Sequence, residues 1–323
     1  MNIEMIRAAA ARLKGHARET PLLNAPLLDE LAGRRVWVKP ECLQHTGSFK
    51  FRGAWSALSA LAPDVRAKGV IAFSSGNHAQ GVALAAKMHG APAVIIMPSD
   101  SPVLKIENTR AYGAEVVLYD RAGESREEIG DKLAQDRGLT LIKPYDEPQV
   151  IAGQGTTGLE IARQAAEQGI EKADVIVCCG GGGLTSGIAL ALEAEAPGLR
   201  VRPAEPEGFD DVARSLQSGR IERNARTSGN ICDAIITPQP GEITFPIMQR
   251  LAGPGLVVSE NEALQAMAHA FNRLKLVAEP GGAAALAAAL FRRDEIEGDD
   301  VIVTISGGNV DAAMFIRALE TLA

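Results

Sequence analysis

Four consecutive glycines, Gly180, Gly181, Gly182 and Gly183, stand between a Val-rich apolar segment and a second segment of helical composition. Consecutive glycines allow successive backbone N–H groups to point at one anion, and the dipole of the following helix adds about half a positive charge there. A tight turn alone would not need four glycines, because each one costs backbone entropy on folding. The loop therefore predicts a phosphate-binding site.

The kind of phosphate is a separate question, because dinucleotide-binding oxidoreductases use a similar loop. They also place an acidic residue at the end of the next strand, where this chain has Glu205. The glycines lack the G-x-G-x-x-G spacing of that fold, since Thr185 and Ser186 stand where the third glycine would be, and the Walker pattern is absent. A single phosphate monoester fits the loop better, and an NAD-binding oxidoreductase is kept as a distant alternative.

Lys50 lies in a small, apolar, glycine-flanked segment, residues 46–54, ahead of a predicted helix. A lysine in such a segment can be partly desolvated, which lowers its pKa and favours the neutral amine that attacks an aldehyde. Taken alone, a lysine is more often a solvated surface residue. Its combination with a phosphate loop makes amine–aldehyde chemistry the expectation.

The elements that must position these groups alternate along the chain. Short Val- and Ile-rich segments predict strands at residues 36–38, 70–73, 93–97, 115–119, 174–179, 199–204 and 300–305. Ala-rich amphipathic segments predict helices at residues 80–89, 104–112, 125–137, 157–168, 261–274 and 282–293. This order predicts an α/β protein with mostly parallel sheets, whose ligands bind where the carboxyl ends of strands lead into helices.

Four motifs in this order resemble those of the PLP-dependent serine/threonine dehydratases and serine racemases. They are T-G-S-F-K-x-R-G-A (46–54), S-S-G-N-H (74–78), G-G-G-G-L-x-x-G (180–187) and S-G-G-N (306–309). The resemblance covers roughly residues 18–311 and is more specific than any single motif. It implies the fold-type II, tryptophan-synthase-β-like architecture, with two domains that each contain a mostly parallel twisted sheet flanked by helices. The expected large domain is formed by residues 1–60 and 148–323, and the expected small domain by residues 61–147.

The resemblance also implies which residues hold the cofactor, pyridoxal 5'-phosphate (PLP). Lys50 would carry it covalently, Asn77 would bind the ring hydroxyl and Ser306 would face the pyridine nitrogen. The phosphate would be held by Gly180, Gly181, Gly182 and Gly183. Without the other motifs, residues 306–309 would be interpreted as an ordinary loop with a serine N-cap.

For the substrate, the resemblance implies that Lys50 is the base at the α-carbon and that Ser75 lies on the opposite face of the ring. The alternative for Ser75 is a turn hydroxyl bound to the backbone. The substrate carboxylate would be bound at a helix N-terminus formed by Ser74, Ser75, Gly76, Asn77 and His78.

The implied activity is that of an ammonia-lyase (dehydratase) that converts a small hydroxy-amino acid, L-threonine or L-serine, to a 2-oxo acid and ammonia. A serine or aspartate-type racemase and a 3-hydroxyaspartate dehydratase are the alternatives on the same scaffold. The preferred amino acid is open, because residues 231–234 and 143–146 depart from the Ala-Asp-Gly and His-Pro-Phe-Asp of relatives. Arg226, Lys143 or Tyr145 is a candidate for binding a second substrate carboxylate, although exposed Arg and Lys are usually only solvated.

A further segment, A-E-P-x-x-x-D-D at residues 204–211, resembles a divalent cation site of this family. Glu205, Asp211 and the carbonyl of Phe209 would be the ligands, with waters completing the shell of Mg²⁺ or a similar ion. The alternative is a solvated acidic helix start at Asp210 and Asp211.

Composition excludes other classes of function. A net charge of −7 without a local basic cluster argues against nucleic acid. The uncharged segment of residues 175–192 is interrupted by the four glycines, so no membrane span is expected. Four cysteines without CxxC spacing fit a reduced, cytoplasmic protein, and five histidines show no metal-ligand spacing. A homodimer is expected by resemblance.

Overall fold

The structure, a computed structural model, describes residues 1–101, 103–120 and 122–322. Its helices are α1 (Ile3–Leu13), α2 (Pro26–Ala32), α3 (Lys50–Ala60), α4 (Pro63–Lys68), α5 (Asn77–His89), α6 (Val103–Ala111), α7 (Arg126–Arg137), α8 (Pro148–Glu167), α9 (Gly183–Glu195), α10 (Asp211–Ser218), α11 (Thr244–Leu251), α12 (Glu260–His269), α13 (Pro280–Phe291) and α14 (Ala312–Glu320). Its strands are β1 (Leu23–Asn24), β2 (Arg35–Pro40), β3 (Val70–Phe73), β4 (Ala93–Pro98), β5 (Glu115–Tyr119), β6 (Thr140–Leu141), β7 (Ala173–Cys178), β8 (Leu199–Pro206), β9 (Leu256–Val258) and β10 (Asp300–Ile305).

The larger sheet has six strands in the order β1-β2-β10-β7-β8-β9, and all neighbours are parallel except β1 and β2. Its central strands β7 and β10 are buried along their whole length, as expected for parallel strands covered by helices on both faces. Helix α13, in which eight of twelve residues are alanine or leucine, is buried against this sheet. Small side chains let it approach the strands closely.

The smaller sheet has four parallel strands in the order β5-β4-β3-β6, all drawn from residues 70–141. Its apolar side chains pack on one face against α5 and α3, and on the other against α7. The sheet therefore brings the S-S-G-N-H junction, which follows β3, to its carboxyl edge.

Three helices meet with almost no side chain between them. A Cβ atom at Gly155 of α8 would lie 2.8 Å from the carbonyl oxygen of Gly187 in α9, and a Cβ at Gly153 would overlap the backbone of Arg52 in α3. Only glycine permits such approaches. Helix α8 therefore fixes the start of α3, where Lys50 stands, relative to the start of α9, where the glycine loop ends.

The α/β prediction with mostly parallel sheets is confirmed. All seven predicted strands are present within a few residues, whereas the short strands β1, β6 and β9 were not predicted. Helix α8 begins at Pro148, nine residues before the predicted start, because Glu147 caps it by accepting hydrogen bonds from the N–H groups of Gln149 (3.0 Å) and Val150 (2.6 Å). Among the described residues no helix has the length and apolar composition that a bilayer span needs.

Candidate active site

A cavity of about 300 Å³ lies between the carboxyl edges of the two sheets. The strand-to-helix junctions after β3 and β7 and the start of α3 all contribute to its wall. Of the predicted site residues, the structure brings these to the cavity: Lys50, Ser74, Ser75, Gly76, Asn77, His78, Gly180, Gly181, Gly182 and Gly183. Ser306 is buried and is not among the described residues that line the cavity. It lies next to Cys178, which does line the cavity.

Lys50 is the first residue of α3, and its Nζ donates a hydrogen bond to the carbonyl oxygen of Pro144 (2.8 Å). Burial lowers the pKa of Lys50 to about 8, although the carboxylate of Glu279 acts in the opposite direction. Two residues on, the buried guanidinium of Arg52 is paired with Glu41 (2.7 Å) and Glu160 (2.6 Å). These ion pairs anchor the helix that carries Lys50. The lowered pKa means that a substantial fraction of the Lys50 amine is neutral at physiological pH.

The glycine loop can only be glycine at most of its positions. Gly182 has a left-handed backbone (φ +88°), and a Cβ on Gly181 would overlap the ring of Tyr145. The hydroxyl of Thr244 donates to the carbonyl oxygen of Gly181 (2.6 Å) and holds the loop in place. The N–H groups at the start of α9 thus face the cavity without side chains in the way, the arrangement that an anion at a helix N-terminus requires.

Three polar side chains at this end of the cavity have buried atoms with no partner within the described residues. They are Gln154, through both amide atoms, and Thr185 and Thr237, through their hydroxyls. A buried polar group without a hydrogen bond costs about 1–3 kcal/mol, so such groups are normally satisfied by a ligand or water. A phosphate, with several acceptor oxygens, fits this end of the cavity.

Asn77 is held by a network that sequence reasoning did not find. Its Nδ2 donates to Glu279 (2.5 Å), and its Oδ1 accepts from Asn309 (2.7 Å), which also donates to the carbonyl oxygen of Thr46 (2.8 Å). Burial raises the pKa of Glu279 to about 7. The sequence placed Glu279 at the start of an Ala-rich helix, where an acid before proline looks like scaffold, but the carboxylate lies in the wall of the cavity.

The junction after β3 supplies the start of α5. The N–H of Gly76 donates to the hydroxyl of Ser74 (3.1 Å), which shapes the turn, and Ser75 lines the cavity. Nε2 of His78 donates to the carbonyl oxygen of Ile142 (2.8 Å), and burial lowers the pKa of His78 to about 3. His78 is therefore a neutral group at neutral pH, and the positive end of α5 carries the attraction for a carboxylate.

Two further cations line the cavity, both from helices beside the smaller sheet. Lys105 of α6 forms an ion pair with Asp233 (3.2 Å), and its side chain is 25% exposed. Arg126, the first residue of α7, is 51% exposed and donates through Nε to Glu127 (2.7 Å).

Of the three residues considered from sequence for a second carboxylate, one lines the cavity. In the described part of the chain, Arg226 and Lys143 do not line the cavity, and Arg226 instead lies over the ring of Phe209, 5.5 Å from its centroid. Tyr145 does line it, against the glycine loop. Lys105 and Arg126 carry no motif that would have revealed them.

The acidic segment after β8 is buried. Glu205 accepts from the N–H groups of Val212 (2.9 Å) and Ala213 (2.7 Å), and so caps α10. One oxygen of Asp211 accepts from Asn224 (2.5 Å), and the other is buried without a partner within the described residues. Burial raises the pKa of both carboxyls, to about 7 for Asp211. No cluster of three or more His, Cys, Asp or Glu side chains placed for a metal occurs among the residues described.

A family model described as pyridoxal-phosphate dependent enzyme matches residues 13–308. The chain belongs to this family. This pyridoxal-phosphate dependent enzyme is similar to the L-threo-3-hydroxyaspartate ammonia-lyase from Saccharomyces cerevisiae. The two sequences are 42% identical over 97% of this chain and 94% of the yeast protein.

Solved structures of this enzyme family agree with the fold. A threonine deaminase from T.th. matches with a TM-score of 0.90 and 44% identity, covering 96% of this chain and 99% of the other. Maize serine racemase matches with a TM-score of 0.91 and 36% identity, covering 99% and 97%. The predicted tryptophan-synthase-β-like fold and the PLP cofactor are confirmed.

When bound, PLP supplies an electron sink that stabilises negative charge at the substrate α-carbon. The enzyme's own residues supply what that chemistry needs at defined places. Lys50 offers a largely dehydrated amine, the glycine loop and its unpartnered neighbours form an anion site, and the start of α5 offers a second one. All three sites open into the same cavity.

Proposed function

We propose that this PLP-dependent enzyme is an ammonia-lyase for a hydroxy-amino acid with two carboxylates, L-threo-3-hydroxyaspartate, which it converts to oxaloacetate and ammonia. The observation that carries the proposal is the presence of Lys105 and Arg126 in the wall of the cavity that also contains Lys50. Water leaves across the α- and β-carbons, and water is taken up again when the nitrogen is released as ammonia. The atoms therefore balance without any oxidant.

The first carboxylate of any amino acid can be bound by the start of α5, so the two additional cations are surplus for L-serine or L-threonine. A second carboxylate gives each of them a further partner besides Asp233 and Glu127. Arg126 uses Nε for Glu127, and a guanidinium has four other N–H donors that suit a carboxylate. The likeness to the yeast L-threo-3-hydroxyaspartate ammonia-lyase supports the same choice.

Two other activities have support. The likeness to a threonine deaminase supports dehydration of L-threonine or L-serine, and the likeness to maize serine racemase supports racemisation, for which Ser75 in the cavity wall is the proposed second proton-transfer group. We place both second, because neither uses the two cations.

The remaining roles are part of the same proposal. Lys50 binds the cofactor covalently and moves the α-proton, Asn77 binds the ring hydroxyl, and residues 180–183 bind the phosphate. Ser306, buried beside Cys178, is proposed to face the pyridine nitrogen. Residues 74–78 bind the α-carboxylate, with His78 neutral.

We also propose that residues 61–147 form a small domain that closes over the ring against residues 1–60 and 148–323. The ion pair between Lys105 and Asp233 supports this, because it joins the two parts across the cavity. A change in domain orientation between crystals with and without a substrate analogue is the expected result; identical orientations would contradict it.

We further propose a divalent cation held by Glu205, Asp211 and the carbonyl of Phe209. The support is one oxygen of Asp211 that is buried with no partner among the described residues, next to the buried carboxyl of Glu205; a cation there would stabilise the ionised form of both groups. The homodimer stays a prediction of the resemblance, and the cytoplasmic location stays a prediction from the cysteine content.

The decisive experiment is a substrate panel with the holoenzyme. L-threo-3-hydroxyaspartate, its erythro isomer, L-threonine and L-serine are supplied separately, and keto acid, ammonia and D-amino acid are all measured. The proposal expects the highest kcat/KM for the threo dicarboxylate, with keto acid and ammonia in equal amounts. A higher kcat/KM for L-threonine or L-serine, or D-amino acid as the main product, would overturn it.

A further inference from the structure

Gln154 is a buried glutamine whose amide finds no hydrogen-bond partner in the described part of the chain. It lies on α8, is fully buried, and both its Nε2 and its Oε1 lack a hydrogen-bond partner within the described residues. A Cβ on Gly53 would come within 3.0 Å of Nε2, and a Cβ on Gly183 within 2.6 Å of Oε1. The amide thus occupies space that two glycines leave open, between the helix of Lys50 and the glycine loop.

The same helix contains a glutamine in the opposite situation. Nε2 of Gln164 donates to the carbonyl oxygen of Thr20 (2.9 Å), and its Oε1 accepts from Lys39 (2.9 Å). Buried amides are normally satisfied in this way, because an unpaired buried donor or acceptor is costly. The buried amide of Gln154 therefore points to a bound ligand as its hydrogen-bond partner.

The position of the amide identifies the chemistry of its missing partner. Gln154 lines the cavity at the end where the N–H groups of residues 180–183 meet the start of α9. Thr237, whose buried hydroxyl also lacks a partner in the described structure, lies beside Gly180, its Cγ2 3.3 Å from where a Cβ there would stand. The hydroxyl of Thr185, which also lines the cavity, likewise has no partner among the described residues. Three side-chain donors without a partner around one anion site point to a ligand with several acceptor oxygens.

We propose that Gln154 is a cofactor-binding residue whose side-chain amide donates to the phosphate of PLP, with the hydroxyl of Thr237 as a second side-chain donor. The phosphate is then held by side chains from α8 and from the 233–237 segment as well as by the backbone of the glycine loop. The inference rests on the cofactor, which the family establishes, and is independent of the substrate proposed above.

The test compares two ligands that differ only in the phosphate. Apoprotein is titrated with PLP and with unphosphorylated pyridoxal, and dissociation constants are taken from the absorbance of the bound aldehyde. For Gln154→Leu we expect PLP to bind about 10–100-fold more weakly, the loss of a hydrogen bond to a charged group, with the constant for pyridoxal unchanged. Gln154→Glu, nearly isosteric but anionic, should weaken PLP binding further than the leucine variant does.

Gln164→Leu is the matched control. Removing this satisfied amide leaves Lys39 with one partner fewer, so its apoprotein should melt at a lower temperature, while its PLP constant stays that of the parent. The Gln154→Leu apoprotein, which loses only an unsatisfied amide, should melt no lower than the parent.

Two results would overturn the proposal. One is an unchanged PLP constant in Gln154→Leu; the other is equal weakening of PLP and pyridoxal, which would mean that Gln154 shapes the cavity without contacting the phosphate. If the leucine variant does not fold, the glutamate variant decides through phosphorus NMR. A bound phosphate resonance identical to that of the parent would be incompatible with a carboxylate beside it.

Discussion

The ion pair between Lys105 and Asp233 allows the second-carboxylate hypothesis to be tested by two substitutions with opposite expected effects. Both side chains line the cavity, and their charges are 3.2 Å apart. A dicarboxylate substrate that binds Lys105 gains an attraction and meets a repulsion from Asp233. Lys105→Met should therefore lower kcat/KM for L-threo-3-hydroxyaspartate, whereas Asp233→Asn should raise it.

The exposure of each side chain sets the magnitude. A fully exposed pair contributes about 0.2–1 kcal/mol, and unit charges about 4 Å apart at an effective dielectric constant of about 20 interact by about 4 kcal/mol. Lys105 is 25% exposed, which places its contribution near 2 kcal/mol, or roughly a 30-fold loss in kcat/KM. Asp233 is 59% exposed, so its removal should give only about a 2–5-fold gain.

The assay measures keto acid from L-threo-3-hydroxyaspartate and from L-serine for each variant, at low and high salt. L-Serine should respond little to either change, and added salt should reduce the effect on the dicarboxylate. Lys87→Met is the control, since Lys87 is an exposed lysine of α5 that does not line the cavity. If both variants lose activity to the same degree on both substrates, the ion pair only joins the two parts of the chain and the reasoning is refuted.

Four other outcomes are expected from the structure. Arg126→Met should lower kcat/KM for the dicarboxylate about 5–10-fold, less than Lys105→Met because Arg126 is half exposed, and Arg137→Met on the same helix should have no effect. The rate at which apoprotein takes up PLP should rise with pH, with a midpoint near 8. A pKa of about 8 leaves about 10% of Lys50 neutral at pH 7, against about 0.03% for an ordinary lysine. A midpoint near 10.5 would contradict this. Glu279→Gln should stabilise the apoprotein at pH 8 but not at pH 4. Burial raises the pKa of Glu279 to about 7, so ionisation of this carboxyl destabilises the folded state as the pH rises from about 4.5 through 7. Equal melting temperatures of the variant and the parent at pH 8 would count against this. Mg²⁺ should raise the melting temperature of the parent in proportion to the logarithm of its concentration, and should fail to do so in Asp211→Asn.

The parts of the molecule that could be predicted from sequence are those in which backbone geometry restricts the residue type. The glycine loop is an example, because a side chain at Gly181 would overlap Tyr145 and Gly182 needs a left-handed backbone. The strands of the larger sheet are another, because burial on both faces requires continuous apolar runs such as β7 and β10. In both cases one local constraint leaves one visible pattern.

The parts that could not be predicted depend on long-range contacts. Glu279 lies 202 residues from Asn77 in the chain, and their hydrogen bond follows only from the packing of α13 beside the junction after β3. Lys105 and Arg126 stand on exposed, weakly patterned helices, where a lysine or an arginine has no reason to be noticed. Arg226, one of the three candidates considered from sequence, packs on Phe209 because the loop that carries it turns toward the acidic segment instead of the cavity.

The two ends of the cavity are built in different ways, and this difference bears on how one scaffold can serve several activities. Behind the proposed phosphate end, α3, α8 and α9 approach so closely that even a methyl group is excluded at Gly153, Gly155 and Gly187. The proposed substrate end presents long side chains from α6 and α7, and their replacement changes the charge of the cavity wall. A substitution at the first end costs packing energy and cofactor affinity together, whereas a substitution at the second changes only which amino acid is attracted. Relatives 36–44% identical to this chain are accordingly described as serine racemase, threonine deaminase and 3-hydroxyaspartate ammonia-lyase, within one family defined by its cofactor. On this argument, exchanging the cations of α6 and α7 for neutral residues should convert the substrate preference before it affects cofactor binding.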